Sequence, residues 1–276
     1  MYDKEKIMKV MGEINEESKQ IKPYVIICCP RRDKNEIPAQ KLNEYHGLHI
    51  DFSGYSRAYI EIDGEKVDVA RNYLMDAAIE SGAKYMLFIG EDTVMPYNGF
   101  LNLHKTAEEN PNSVVVGVYY IKLSSQMIMI KEGDHIIPGN VDPGQVFEAW
   151  QTGLDAALIP IKILKEMKEK EPEIPFCCIG YNLPNLPFIG EDNFFVHRLR
   201  KEGYKLLVNT DVQCLHIDLK LKKYTAHPSI TDEKIKTDYF TNFPIEGKLT
   251  MNDKKEIDLR WTNRLPKKEE INENIK

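Results

Sequence analysis

No apolar run in this chain approaches the ~18 residues needed to cross a bilayer. The first 22 residues, MYDKEKIMKVMGEINEESKQIK, hold nothing resembling a signal-peptide core. The expectation is a cytoplasmic protein without membrane insertion. Cysteine is scarce: Cys28, Cys29, Cys177, Cys178 and Cys214 are an odd set of five with no C-x-x-C spacing. That excludes a disulfide framework and argues against a zinc site, so the thiols read as small hydrophobes. A basic excess is missing too. Lys and Arg total 37 against 43 Asp and Glu, a net charge of −6, so no global field gathers nucleic acid or anionic lipid. Three motifs are also absent: G-x-G-x-x-G after the first strand, G-x-x-x-x-G-K-[ST], and G-x-S-x-G. Their absence counts against dinucleotide oxidoreductases, P-loop NTPases and serine hydrolases.

What is present suits one sizeable α/β domain: 276 residues, 42% hydrophobic and 29% charged. Short apolar runs such as Tyr24–Cys29, Lys84–Ile89 and Ser113–Tyr120 have the length and bulk of strands buried on both faces. A second strand is expected near Ala58–Ile62. Between the runs, helical periodicity follows Asp68 (a candidate N-cap) through Ala70, Leu74 and Ala77 until Gly82 stops it. Further helices are expected from Pro96, over Ile161–Lys170 behind Pro160, and from about Asp192 to Glu202. Gln151–Ile159 reads as one buried segment, and Tyr204–Val208 and Val212–Asp218 as late strands. The alternation predicts a twisted, mostly parallel Rossmann-like sheet with helices on both faces, in a single domain. That domain spans residues 23–218, between a helical appendage at 1–22 and a partly flexible extension at 219–276.

Four groups of residues carry candidate chemistry. Glu91-Asp92 follow the third strand, where open α/β sheets bind ligands and where carboxylates could hold a divalent cation; the alternative is a solvated turn. Glu191-Asp192 open a helix, so Asp192 is either a general base or an N-cap. Cys214, His216 and Asp218 would share one face of a strand, with His216 a core residue or a metal ligand. Arg71 sits near a helix start, where it either meets an anion or points to solvent.

In combination, YVIICCP, ARNYLMDAAIESGAKYMLFIGEDTVMP, VVVGVYYIK, QTGLDAALIP, GEDNFFVHRLRKEGYKL and CLHID resemble the GT-A glycosyltransferases, especially family 2-like enzymes of phage, viruses and bacteria. The resemblance covers residues 23 to 218 in order. It implies a GT-A fold and transfer of a sugar from a nucleotide-diphosphate-sugar donor, a UDP-sugar before a GDP-sugar, to an acceptor hydroxyl with inversion. It places the D-x-D motif on Gly90-Glu91-Asp92, with glycine replacing the first acid. It implies Mn²⁺ or Mg²⁺ on Asp92 and His216, and Asp192 as the base. Pro30, Arg71, Gly90, Glu91 and Asp92 would line the donor pocket; Gly153 and Glu191 would face the acceptor. A glycan, protein, small molecule or modified DNA base remains open as acceptor, and a viral source would put the reaction in the host cytoplasm. Two alternatives share these features: a nucleotidyltransferase acting on sugar phosphates, and a degenerate sugar-nucleotide binder that Gly90 would explain.

Overall fold

The apolar runs become strands in the computed structural model, which describes residues 22–31, 50–119, 129–131, 135–136, 141–180, 190–218, 223–225 and 230. Nearly all of the appendage expected at 1–22 and of the extension expected at 219–276 lies outside these residues. The described strands are β1 (Val25–Arg31), β2 (Arg57–Asp63), β3 (Tyr85–Phe88), β4 (Thr93–Val94), β5 (Ser113–Val118), β6 (Met129–Lys131), β7 (His135–Ile136), β8 (Val146–Glu148), β9 (Gln151–Thr152), β10 (Ala157–Pro160), β11 (Lys205–Gln213), β12 (Leu215–Asp218) and β13 (Lys223–Thr225). The described helices are α1 (Val67–Ser81), α2 (Gly99–Glu109), α3 (Ile161–Lys170) and α4 (Glu191–Lys201).

Seven strands form the central sheet in the order β2-β1-β3-β10-β5-β11-β8. The pairs β1/β2, β1/β3 and β5/β11 are parallel, while β10 runs against β3 and β5, and β8 runs against β11. Five strands therefore share one direction and two oppose it. This is a Rossmann-like α/β domain.

Alternation along each strand divides the core between the two faces of the sheet. Ile26, Cys28, Met86, Phe88, Val114, Val116 and Ile159 join the face packed by Leu74 and Ala78 of α1, Ile163 and Leu164 of α3, and Phe195 and Leu199 of α4. Val25, Ile27, Leu87, Val115 and Leu158 turn the other way, toward Phe100 and Leu103 of α2 with Ile50 and Phe52. A fully enclosed side chain such as Leu74 contributes about 1.5–3 kcal/mol through burial alone.

Several expected boundaries shift for local reasons. β1 continues through Pro30 to Arg31 because β2 pairs with it that far. Cys28 accepts from Ile89 on the β3 side, so Pro30, two residues on, turns its missing N–H to that same side, where β3 has already ended. α1 starts at Val67 with Lys66 as N-cap, so Asp68 lies in the first turn instead of capping it; Gly82 closes the helix in the left-handed region at φ 70°. Gln151–Ile159 is two strands, β9 and β10, separated by a turn.

Candidate functional site

Residues expected to carry chemistry converge on one edge of the sheet, the carboxyl ends of its parallel strands. β1 delivers Pro30 and Arg31 there, and β3 runs into Ile89-Gly90-Glu91-Asp92. α1 starts from the same edge because it follows β2. β10 matters for its reversed direction: the Gly153–Ala156 turn just before it emerges at this edge, as the pairing of Ala157 with Phe88 and Val116 requires.

Asp92 lies in a tight turn that Thr93 closes by donating its N–H to the Gly90 carbonyl at 3.2 Å. Thr93 and Val94 then form β4, which pairs antiparallel with β12 so that His216 stands opposite Thr93. This small sheet brings His216 Nε2 to 3.5 Å from Asp92 Oδ2, with both side chains mostly buried. Cys214 does not share their strand: the chain breaks between β11 and β12 at that residue, and its thiol is buried in the core. The Asp218 side chain lies outside the described residues.

Opposite this pair, Arg71 occupies the second turn of α1 and is 4% exposed, so it does not point to solvent. Its Nη2 donates to Asp155 Oδ1 at 3.2 Å and its Nη1 to Glu191 Oε1 at 3.1 Å, while Nη1 also contacts Asp192 Oδ1. The guanidinium lies 5.7 Å from the Phe88 ring centroid. Burial alone would lower the Arg71 pKa, but Asp155, Cys177, Glu191 and Tyr119 outweigh it and the net shift is upward, so the guanidinium stays charged. Burial raises the Asp155 carboxyl, with Arg71 opposing and Asp92 reinforcing the rise.

Gly190 is the N-cap of α4, which makes Asp192 a first-turn residue and not the cap. Carboxylates in that turn gain from the helix macrodipole as well as from Arg71. The Asp192 carboxylate is divided: Oδ1 meets Arg71, and Oδ2 faces Gly153, where a Cβ would lie 3.2 Å from it. Gly153 is required for another reason. A Cβ there would overlap the Tyr119 hydroxyl and approach Tyr119 Cζ to 2.8 Å. The Tyr119 ring in turn stands edge-on to His216, with centroids 5.9 Å apart.

Glu91 turns away from this cluster toward Arg31, whose Nε is 3.9 Å from Glu91 Oε2. Arg31 is 1% exposed and also pairs with Glu61 at 3.2 Å and Asp63 at 2.8 Å, fastening the ends of β1 and β2 beside Pro30.

The structure thus brings together Arg71, Gly90, Asp92, Gly153, Glu191, Asp192 and His216, with Pro30 and Glu91 grouped beside Arg31. Sequence reasoning passed over Asp155 and Tyr119. Asp155 did leave a signal, an acid inside the otherwise apolar run GLDAALIP, since a carboxylate there needs a cationic partner. Tyr119 left none.

Among the described residues, no three His, Cys, Asp or Glu side chains form a preformed cation cage. A divalent ion still fits Asp92 and His216. An oxygen and a nitrogen 3.5 Å apart can both reach an ion at about 2.1 Å, and catalytic Mg²⁺-type sites commonly use one or two protein ligands plus water and substrate phosphate. None of the described helices is long and apolar enough to cross a membrane.

No protein-family model matches this chain, and no curated protein matches it. Among solved structures it is similar to A197 from STIV, with a TM-score of 0.49 and 17% identity over 74% of this chain and 93% of that one. It is also similar to a UDP-glucose pyrophosphorylase from Acinetobacter baumannii, with a TM-score of 0.37 and 10% identity over 59% of this chain and 56% of that one. The UTP-bound enzyme from the same organism gives a TM-score of 0.36 and 8% identity over the same shares. Likenesses this distant assign no role to any residue.

Proposed function

We propose that this protein is a glycosyltransferase that moves a sugar from a nucleotide-diphosphate-sugar donor, a UDP-sugar in the first instance, to an acceptor hydroxyl with inversion and with help from a divalent cation. One observation carries the reading. At the carboxyl edge of the sheet, the Asp92–His216 pair is linked through Asp155 and Arg71 to a further carboxylate, Asp192, with one of its oxygens held by Arg71 and the other against Gly153.

The division of labour follows from those positions. Asp92 and His216 would hold Mn²⁺ or Mg²⁺, which would supply charge neutralisation for the departing nucleoside diphosphate. One imidazole in the set favours Mn²⁺. Pro30, Gly90 and Glu91 border the donor, with Arg31 fixing Glu91. Asp192 takes the acceptor proton through Oδ2 as the hydroxyl oxygen forms its bond to the anomeric carbon and the bond to the diphosphate breaks. Arg71 keeps that carboxylate oriented, and its charge also faces the donor side of the site. Glu191 and Gly153 shape the acceptor side. Gly153 admits the Tyr119 hydroxyl beside the base, which limits what the acceptor can place there.

A thermal-shift screen of nucleotide sugars with and without MnCl₂ tests this reading, because a ligand selective for the native state stabilises it by mass action, by about 2.7 kcal/mol at a hundred times Kd. Selective, Mn²⁺-dependent stabilisation by one nucleotide sugar is expected. With a labelled donor, release of nucleoside diphosphate supports sugar transfer, whereas release of pyrophosphate points to nucleotidyl transfer. A flat screen across the panel would count against both.

A further inference from the structure

Gly90 borders a space that is already taken. A Cβ on this residue would lie 3.2 Å from both Cγ and Oδ1 of Asp155, and 3.2 Å from Oδ1 of Asp92. The region beside Asp92 that a side chain at position 90 would fill therefore has a carboxylate next to it, delivered by the turn before β10. That carboxylate is fixed in place. Oδ1 accepts from Arg71 Nη2 at 3.2 Å, and the turn is pinned by the Gly117 N–H donating to the Ala156 carbonyl at 3.0 Å. Ala156 adopts φ 62°, a left-handed conformation that costs a non-glycine residue energy and persists where its surroundings enforce it. Asp155 is also close enough to Asp92 and His216 to interact with the charge on each.

We propose that Asp155 is a positioning residue for the cation pair, supplying from a separate turn the second negative charge that residue 90 does not provide. The inference rests on the cation-dependent transfer proposed above. Asp155 acts beside Asp92 and His216 and is not a third protein ligand, in keeping with the missing three-residue cage among the described residues. Its charge favours a divalent ion next to Asp92, and its bond to Arg71 joins the cation side of the site to Asp192. A purely structural partner of Arg71 would also occupy this position, and the two roles separate experimentally. Returning a carboxylate to residue 90 restores charge beside Asp92 but does nothing for the Arg71 contact.

The experiment is a titration of MnCl₂ followed by electron paramagnetic resonance with saturating UDP, on wild type, Asp155→Asn, Asp155→Ala and the double variant Gly90→Asp/Asp155→Ala. Thermal melts accompany each titration to report folding. Loss of a side chain that supports metal ligands weakens metal binding by about 10–100-fold, and that range is expected for Asp155→Ala and Asp155→Asn. The double variant should regain most of the loss. Mn²⁺ binding by both single variants as tight as that of wild type would overturn the assignment, as would a double variant no tighter than Asp155→Ala. Wild type that takes up no Mn²⁺ would overturn the cation-dependent reading itself, and the role of Asp155 with it.

Discussion

Replacing Arg71 by Met removes one guanidinium and leaves Asp155, Glu191 and Asp192 facing each other without a cation. These side chains are 21%, 17% and 24% exposed, so water relieves only part of their repulsion. Taking one partner from a buried ion pair costs about 3–5 kcal/mol. Partial exposure puts the expected loss near the lower end, about 3 kcal/mol, because the carboxylates can rehydrate or take up protons. For a domain of this size, that corresponds to a fall in Tm of roughly 6–12 °C. Urea unfolding followed by circular dichroism at pH 7 and low salt measures it, with an unchanged m-value confirming that native stability was altered and not denatured-state compactness. The penalty should be non-additive: Asp155→Asn/Glu191→Gln in the Arg71→Met background removes repelling charges and should recover part of it. A Met variant within 1 kcal/mol of wild type, or a triple variant less stable than the single one, would refute the view that Arg71 is the charge holding this wall of the site together.

Three other expectations follow from the structure. Gly153→Ala drives a methyl into the Tyr119 hydroxyl and should cost about 1–3 kcal/mol by overpacking; a neutral thermal melt would show that Tyr119 moves freely. Acid should remove two local contributions to stability. Burial holds the His104 imidazole below its ordinary 6.5, and hydrogen bonds from Lys84 and Tyr85 hold the Glu108 carboxyl below 4.5. Both shifts are downward, so their stabilising contributions are complete above those values. The first is lost as pH falls through the depressed His104 pKa, the second as it falls through that of Glu108. The wild-type urea midpoint should lose ground to that of His104→Gln as pH falls from 7.5 to 5; a wild type that gains on the variant over that range contradicts the sign. Finally, Cys178 is the one partly exposed thiol of five, while burial pushes Cys177 up to about 12. Alkylation of the native protein should modify Cys178 alone, and rapid modification of two or more thiols would contradict the burial of the rest.

The sheet was legible wherever its strands are covered on both faces, because that burial demands continuous apolar runs such as VIICC and YMLF. α1 was legible through the spacing of Ala70, Leu74 and Ala77 and the stop at Gly82. Direction was not. Periodicity carries no polarity, so nothing in ALIP announces that β10 runs against its neighbours, yet that reversal is what delivers Asp155 to the site. β4 is two residues long, too short for any pattern, and its pairing with β12 is what seats His216 beside Asp92. Asp92, Asp192 and His216 were readable as strand-end and helix-start residues. The pairing of Asp155 with Arg71, 84 residues apart, depends on the fold. Asp192 also shows how a local reading misleads: a good capping residue at a helix start proved to lie two positions past the cap, which is Gly190.

The central claim is that Asp192 is the base of a cation-dependent sugar transfer, and the most direct test separates binding from turnover in Asp192→Asn. Donor affinity is measured by calorimetry with a UDP-sugar and MnCl₂, and turnover by release of UDP from the same mixture. The account predicts Mn²⁺-dependent binding close to wild type in this variant, together with loss of UDP release. UDP release by Asp192→Asn at the wild-type rate would contradict it.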